Sequence, residues 1–234
     1  MIEKFIEREN QIFNKLTELE EKEIDFILIG GYAVSAFHHR FSVDADIVIR
    51  KKELERCLKI MSDNGFKEIQ REDLNSIYGG QFIALRKDKE LPVNFDIMVD
   101  SLKCRQTEAT WSYDYLHQNL ISKEIEGNEK SVHTTIPEKE LLIAIKLHSG
   151  RLTDVRDIVA LNNDVNRDKI LNHTDRGRKK DFLKILKNVE GTLDREGFED
   201  SFKGVFSEKQ LPNKNIKDLR KLISDLKTLI HDSS

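Results

Sequence analysis

At 234 residues, 38% of them hydrophobic and 35% charged, the chain has enough apolar material for one large domain or two small ones beneath a highly charged surface. Lys and Arg number 39 against 42 Asp and Glu, a net charge of −3, which excludes a basic nucleic-acid footprint over the whole chain while leaving a local patch open. Cys57 and Cys104 stand far apart and match no metal spacing or disulfide framework, so a reducing, cytoplasmic compartment is expected. The opening "MIEKFIEREN" carries charge throughout and no apolar signal core, and no stretch approaches the roughly 18 apolar residues of a membrane span.

In chain order, Ile2, Phe5, Ile6, Ile12, Phe13, Leu16 and Leu19 recur at helical spacing over residues 2–22. "DFILIG" reads as a buried strand with a tight glycine exit, "YAVSAF" as a short helix and "ADIVIR" as a second strand. "KKELERCLKIMSDNG" predicts a helix with Leu54, Leu58 and Met61 on one face and Gly65 as its stop. "QFIALRK" and "LPVNFDIMV" suit paired strands joined at "DKE"; mixed helical and hairpin material follows, with a turn at "EGNE". From "PEKELLIAIKLHSG" onward the pattern is helical, with Pro137 at a helix start and Thr153 as the cap of the next helix. "RKKDFLKILKNV" and "NIKDLRKLISDLKTLI" are amphipathic. The expectation is an α/β class: a mixed twisted sheet flanked by helices over residues 1–136, then a helical region over 137–234.

Asp44 and Asp46 are two apart and leave the same face of their strand, while Ala45, Ile47 and Ile49 leave the other. "VNFDIMV" repeats the alternation and offers Asp96 on a neighbouring strand. Three carboxylates brought together repel unless cations lie between them, and hard oxygen donors of this kind suit Mg²⁺ or Mn²⁺ and metal-bridged phosphates. Gly30 and Gly31, between a strand and a helix, let backbone N–H groups approach anionic oxygens, and the helix start adds positive potential.

"ILIGGYAVSAFHHRFSVDADIVI" resembles the signature of the DNA polymerase β-type nucleotidyltransferase superfamily: an apolar strand, Gly-Gly or Gly-Ser, about a dozen residues, then Asp-x-Asp among apolar residues. "NFDIM" looks like its separate third-carboxylate strand. "LLIAIKLHSGRLTDVRDIVAL" resembles a helical segment of small bacterial and archaeal members, including abortive-infection-type toxins of toxin–antitoxin character. The resemblance covers about residues 24–163. It implies Asp44 and Asp46 as metal ligands, and Asp96 as a third ligand and base for the acceptor. It also implies Gly30 and Gly31 as triphosphate holders, Lys146 as a residue facing the nucleotide, and a role for Asp157. The implied reaction carries a nucleoside monophosphate from a nucleoside triphosphate to the hydroxyl of a small molecule, a tRNA or a protein, with release of pyrophosphate. Many members carry Ser at the second glycine position, where its hydroxyl helps bind phosphate; Gly31 has none. That departure keeps a second reading open, a non-catalytic nucleotide-binding or regulatory module of the same fold acting with a protein partner.

Other residues admit two readings each. Arg40 is either a phosphate contact or a surface arginine. Lys146, between Ile145 and Leu147, is either a nucleotide contact or a snorkelling lysine. Adjacent His38 and His39 cannot both face one way; they end the short helix rather than bind zinc, with one of them touching the nucleotide as the alternative. "RGRKK" at 176–180 reads as a solvated helix start, with an RNA or phosphate contact as the alternative, and Trp111, Tyr113 and Tyr115 read as packing residues, with base stacking as the alternative.

Overall fold

The computed structural model describes residues 2–232. The chain divides into two units: residues up to Lys103 with Trp111–Pro137, and Cys104–Thr110 with the chain from Glu138 onward.

The first unit has the expected mixed α/β architecture. Helix α1 (Ile2–Glu21) buries Ile12, Phe13, Leu16 and Leu19, one apolar stripe on an otherwise charged helix. Strand β1 (Phe26–Ile29) is buried along its length and passes directly into the six-residue helix α2 (Gly30–Ser35). Both glycines thus begin α2 instead of forming a loop ahead of it, and the helix is short for the N-terminal potential that the sequence suggested. Strand β2 (Asp44–Ile49) is followed by a 3-10 turn at Lys51–Glu53 and by α3 (Leu54–Asp63). After α3 the chain reverses at Gly65, whose φ of +83° suits glycine.

Strands β3 (Lys67–Asp73), β4 (Gln81–Lys87) and β5 (Val93–Val99) complete a five-stranded sheet in the order β1-β2-β5-β4-β3. Only the central β2–β5 pair is parallel; β1–β2, β5–β4 and β4–β3 are antiparallel. The β4–β5 pairing agrees with the sequence reading. Edge strand β3 was not foreseen: "KEIQRED" is almost wholly exposed, so it carries no core alternation, and its charges protect a free edge.

Strands β6 (Ser101–Cys104) and β7 (Ala109–Ser112) form a two-stranded ribbon. Helix α4 (Tyr113–His117) is capped by Ser112, whose side chain accepts from the Tyr115 N–H at 3.1 Å. The hairpin of β8 (Leu120–Glu126) and β9 (Ser131–Pro137) lies against β1, where the Thr135 hydroxyl donates to the Phe26 carbonyl at 3.1 Å. Trp111 and Tyr113 are buried in this unit.

The second unit is helical: α5 (Lys139–Ser149), α6 (Leu152–Leu161), α7 (Arg167–Thr174), α8 (Lys179–Leu193), α9 (Phe198–Phe206) and α10 (Asn213–Asp232). Two boundaries differ from the sequence reading. Pro137 ends β9, and the first helix starts two residues later behind Glu138. Thr153 lies inside α6, whose cap is Arg151; the Asp154 carboxylate accepts from the Arg151 backbone N–H at 3.3 Å and from its Nε at 2.7 Å. An acid in the first turn thus does what a hydroxyl cap was expected to do. Among the described residues no helix is long and apolar enough to cross a membrane.

Candidate active site

Strand register brings the aspartates together. Asp46 pairs with Asp96 across parallel β2 and β5, and Asp44 pairs with Asn94 one step along the same face. The intervening pairs Ala45–Phe95 and Ile47–Ile97 are buried on the opposite face, which anchors the register in the core. On the other side of β5, Asp96 meets Ala84 of β4, a small neighbour that crowds it little. Asp96 is half-buried, and its carboxyl is pushed up to about 6, first by burial and then by the Asp44 carboxylate.

Gly30 answers Asp46. Its φ is +68°, and a Cβ built there would lie 1.9 Å from Asp46 Oδ2. Both conformation and space therefore demand glycine. Ile29, the residue before it, pairs with Asp46 across β1–β2, so the sheet itself sets this approach. The Asp46 carboxylate rests against the turn, and among the described residues no three His, Cys, Asp or Glu side chains gather as a metal-holding group.

Gly31 is a second close approach. A Cβ there would lie 2.3 Å from Ser42 Oγ and 2.4 Å from an Arg40 Nη2. Ser42 is held from two sides through its carbonyl, which accepts from Arg8 Nη2 at 3.4 Å and from the Tyr32 hydroxyl at 3.3 Å. Arg8 comes from α1, is itself buried, and lies over the Phe5 ring at 5.4 Å. Tyr32 is fully buried against Phe13, ring centres 5.4 Å apart. Burial, with Glu9 nearby, raises the Tyr32 hydroxyl far above its ordinary range, so it stays protonated as a donor.

No family model matches the sequence, and no curated protein matches it. Among solved structures the chain is similar to a protein from H. pylori provisionally assigned as a nucleotidyltransferase, at 15% identity and a TM-score of 0.51 over 99% of this chain and 98% of that one. JHP933 from Helicobacter pylori aligns at 16% identity and a TM-score of 0.48, over 99% of this chain and 95% of that one. The lincosamide antibiotic adenylyltransferase LnuA, in its lincomycin-bound form, aligns at 18% identity and a TM-score of 0.47, over 67% of this chain and 98% of that one. The chain shares the fold of the first of these.

The remaining predicted residues lie in the second unit. Lys146 is buried, and its ammonium donates to Asp157 Oδ2 at 2.6 Å and to Asp154 Oδ1 at 3.2 Å. The side chains of Lys146, Asp154 and Asp157 are only 7%, 2% and 1% exposed. Burial alone would push the Asp154 carboxyl up; Lys146 and Arg151 outweigh it and hold the group below the ordinary carboxylate range. Part of the basic run is likewise engaged in this unit: Arg176 donates to the carbonyls of His173 and Thr110 at 2.9 and 3.0 Å, and Arg178 pairs with Asp181 at 3.0 Å.

Arg8, Tyr32 and Ser42 were missed from the sequence. Tyr32 directly follows the glycine pair and Ser42 precedes Asp44 by two residues, so proximity to the motif was a signal for both. Nothing in the spacing of α1 singles out Arg8 among its charges.

Proposed function

We propose that the chain is a metal-dependent nucleotidyltransferase that transfers a nucleoside monophosphate from a nucleoside triphosphate to an acceptor hydroxyl. The observation that carries this reading is the in-register pair Asp46–Asp96, with Asp44 on the same face and the Asp46 carboxylate against Gly30. The fold shared with the H. pylori protein supports it.

The donor set is hard oxygen, and one carboxylate is already raised by burial and by a second carboxylate, a repulsion that a divalent cation relieves. Asp44, Asp46 and Asp96 would hold Mg²⁺ or Mn²⁺, which when bound supplies charge stabilisation to the phosphates. Asp96, on the neighbouring strand, would also accept the proton of the acceptor hydroxyl. That hydroxyl attacks the α-phosphorus, the bond to the bridging oxygen breaks, and pyrophosphate leaves. Gly30 and Gly31 let the phosphates approach the backbone, and Arg40 beside Gly31 offsets their charge. Holding the reactants in line is the main service of such a site. The acceptor belongs to the class of small molecules, tRNA ends or protein side chains.

A second reading, a non-catalytic nucleotide-binding module, is favoured by one observation: among the described residues the carboxylates are not gathered as a ready metal group. Incubation with each labelled triphosphate and Mg²⁺, scored for pyrophosphate release across pools of small molecules, tRNA and protein, separates the two. Release that depends on both metal and acceptor supports transfer; tight binding with no release in any pool supports the module.

A further inference from the structure

We infer that the Ser42 hydroxyl binds a phosphate of the nucleotide beside Gly31, together with the Arg40 guanidinium, and that Arg8 and Tyr32 are positioning residues that hold Ser42 there. This rests on the nucleotide reading above and assigns to it a residue that the sequence motif does not contain.

Three observations converge. First, Ser42 Oγ and an Arg40 Nη2 both lie within 2.4 Å of one point, the place where Gly31 lacks a side chain. A hydroxyl donor and a guanidinium that share one small volume match the oxygens of a phosphate, which accept hydrogen bonds and carry charge. Second, Ser42 is only 6% exposed, yet among the described residues its hydroxyl has no hydrogen-bond partner; both bonds to this residue go to its carbonyl. Its Oγ is not among the fully buried side-chain atoms that lack a partner, so the hydroxyl is reachable from solvent and open to a ligand. Third, the carbonyl is gripped by a buried arginine from α1 and a buried tyrosine from α2. Two elements, α1 ahead of the motif and α2 within it, thus fix one short segment just ahead of Asp44.

The arrangement also accounts for the glycine at position 31. A serine there would drive its Cβ into Ser42 Oγ at 2.3 Å and Ser42 Cβ at 2.9 Å. Position 31 carries no hydroxyl, and Ser42 places one in the space that a side chain there would occupy.

The test is triphosphate binding by calorimetry, with ATP, CTP, GTP and UTP each titrated in Mg²⁺ into the full chain. The proteins are the wild type, Ser42→Ala, Gly31→Ser, and the double variant Gly31→Ser with Ser42→Gly, all checked for folding by circular dichroism and melting. Ser42→Ala is expected to weaken the preferred triphosphate about tenfold or more, the usual cost of losing one hydrogen bond to a charged group, and to leave binding of the matching nucleoside unchanged. Gly31→Ser alone is expected to weaken binding through crowding. The double variant, which moves the hydroxyl from position 42 to position 31, is expected to recover most of the loss, a rescue that a purely structural role for Ser42 would not produce. Wild-type affinity in folded Ser42→Ala overturns the assignment while leaving the nucleotide reading intact. A wild type that binds none of the four triphosphates overturns both. If the double variant does not fold, Ser42→Ala decides alone. For the positioning pair, Arg8→Lys is expected to keep more affinity than Arg8→Ala, and equal, wild-type binding in both removes Arg8 from the role.

Discussion

The Asp46 carboxylate fills the space that a side chain on Gly30 would need: a Cβ there would stand 1.9 Å from Asp46 Oδ2, at a residue whose φ is +68°. The glycine and the aspartate are therefore one unit, coupled through the Ile29–Asp46 pair of β1 and β2.

Gly30→Ala follows as a severe change. Left-handed backbone costs a non-glycine residue about 1–2 kcal/mol, and the clash adds to it. A lowered melting temperature together with loss of triphosphate binding is expected. Calorimetric melting and a binding titration check it, and a variant that melts and binds like the wild type would show that the turn relaxes freely.

Asp96 gives the metal-free protein a distinct pH dependence. Its folded carboxyl lies above the unfolded value, so the folded state holds the proton more tightly, and this stabilisation is present at low pH. It is lost as pH rises from the ordinary 3.8 through about 6. Melting in a chelator across that window is expected to show the loss in the wild type and not in Asp96→Asn, which at pH 7 melts no lower than the wild type. Asp44→Asn removes the second cause of the shift, so the Asp96 carboxyl is expected to titrate lower, as read by carboxyl-carbon NMR. With Mg²⁺ and triphosphate the wild type is instead expected to melt above Asp46→Asn, which lacks a metal ligand, because ligand stabilises only a protein that binds it, by about 2.7 kcal/mol at a hundredfold excess over Kd.

Asp44→Asn and Asp46→Asn each remove a carboxylate with almost no change of volume and are expected to abolish nucleotidyl transfer with the fold intact. Asp96→Asn is expected to lose turnover more than triphosphate affinity, since a base acts when the proton moves. Parallel rate and binding measurements distinguish these outcomes; affinity that collapses in step with rate would make Asp96 a binding ligand instead.

Lys146 tests a different contact. Lys146→Met leaves Asp154 and Asp157 buried without their shared cation, a change that typically costs about 3–5 kcal/mol. A large drop in melting temperature is expected, partly restored by adding Asp157→Asn. A Lys146→Met variant that melts normally but binds triphosphate poorly would instead favour the nucleotide contact implied by the sequence resemblance.

His148 adds an acid-sensitive element to the second unit. Its Nδ1 lies 2.8 Å from the Thr107 hydroxyl, its Nε2 lies 3.1 Å from the Thr174 carbonyl, and the ring stacks on Phe182 at 4.0 Å. Burial lowers it to about 4, so the unfolded chain takes up the proton first. Its contribution, about 3 kcal/mol, is full above the unfolded value of 6.5 and is lost as pH falls towards about 4. Urea midpoints over that range are expected to fall less steeply for His148→Gln than for the wild type.

Elements with a strong apolar pattern are legible in the residues alone. The pattern placed β1, β2, β5 and the long amphipathic helices, and it put Asp44, Asp46 and Asp96 on like faces, because a period of two can only sort side chains in one way. It was silent on β3, whose polar edge needs no apolar face, and on α7, which buries little beyond Ile170, His173 and Thr174. That β2 and β5 are parallel neighbours, so that Asp46 meets Asp96, is visible only once the sheet is assembled. Only tertiary packing brings Arg8, Tyr32, Arg40 and Ser42 to the glycine pair, and Asp154 and Asp157 to Lys146. Periodicity fixes which face of its own element a side chain leaves. What it meets there depends on how the sheet is ordered and how the helices pack, and that is set by burial summed over the whole core, not by any local run of residues.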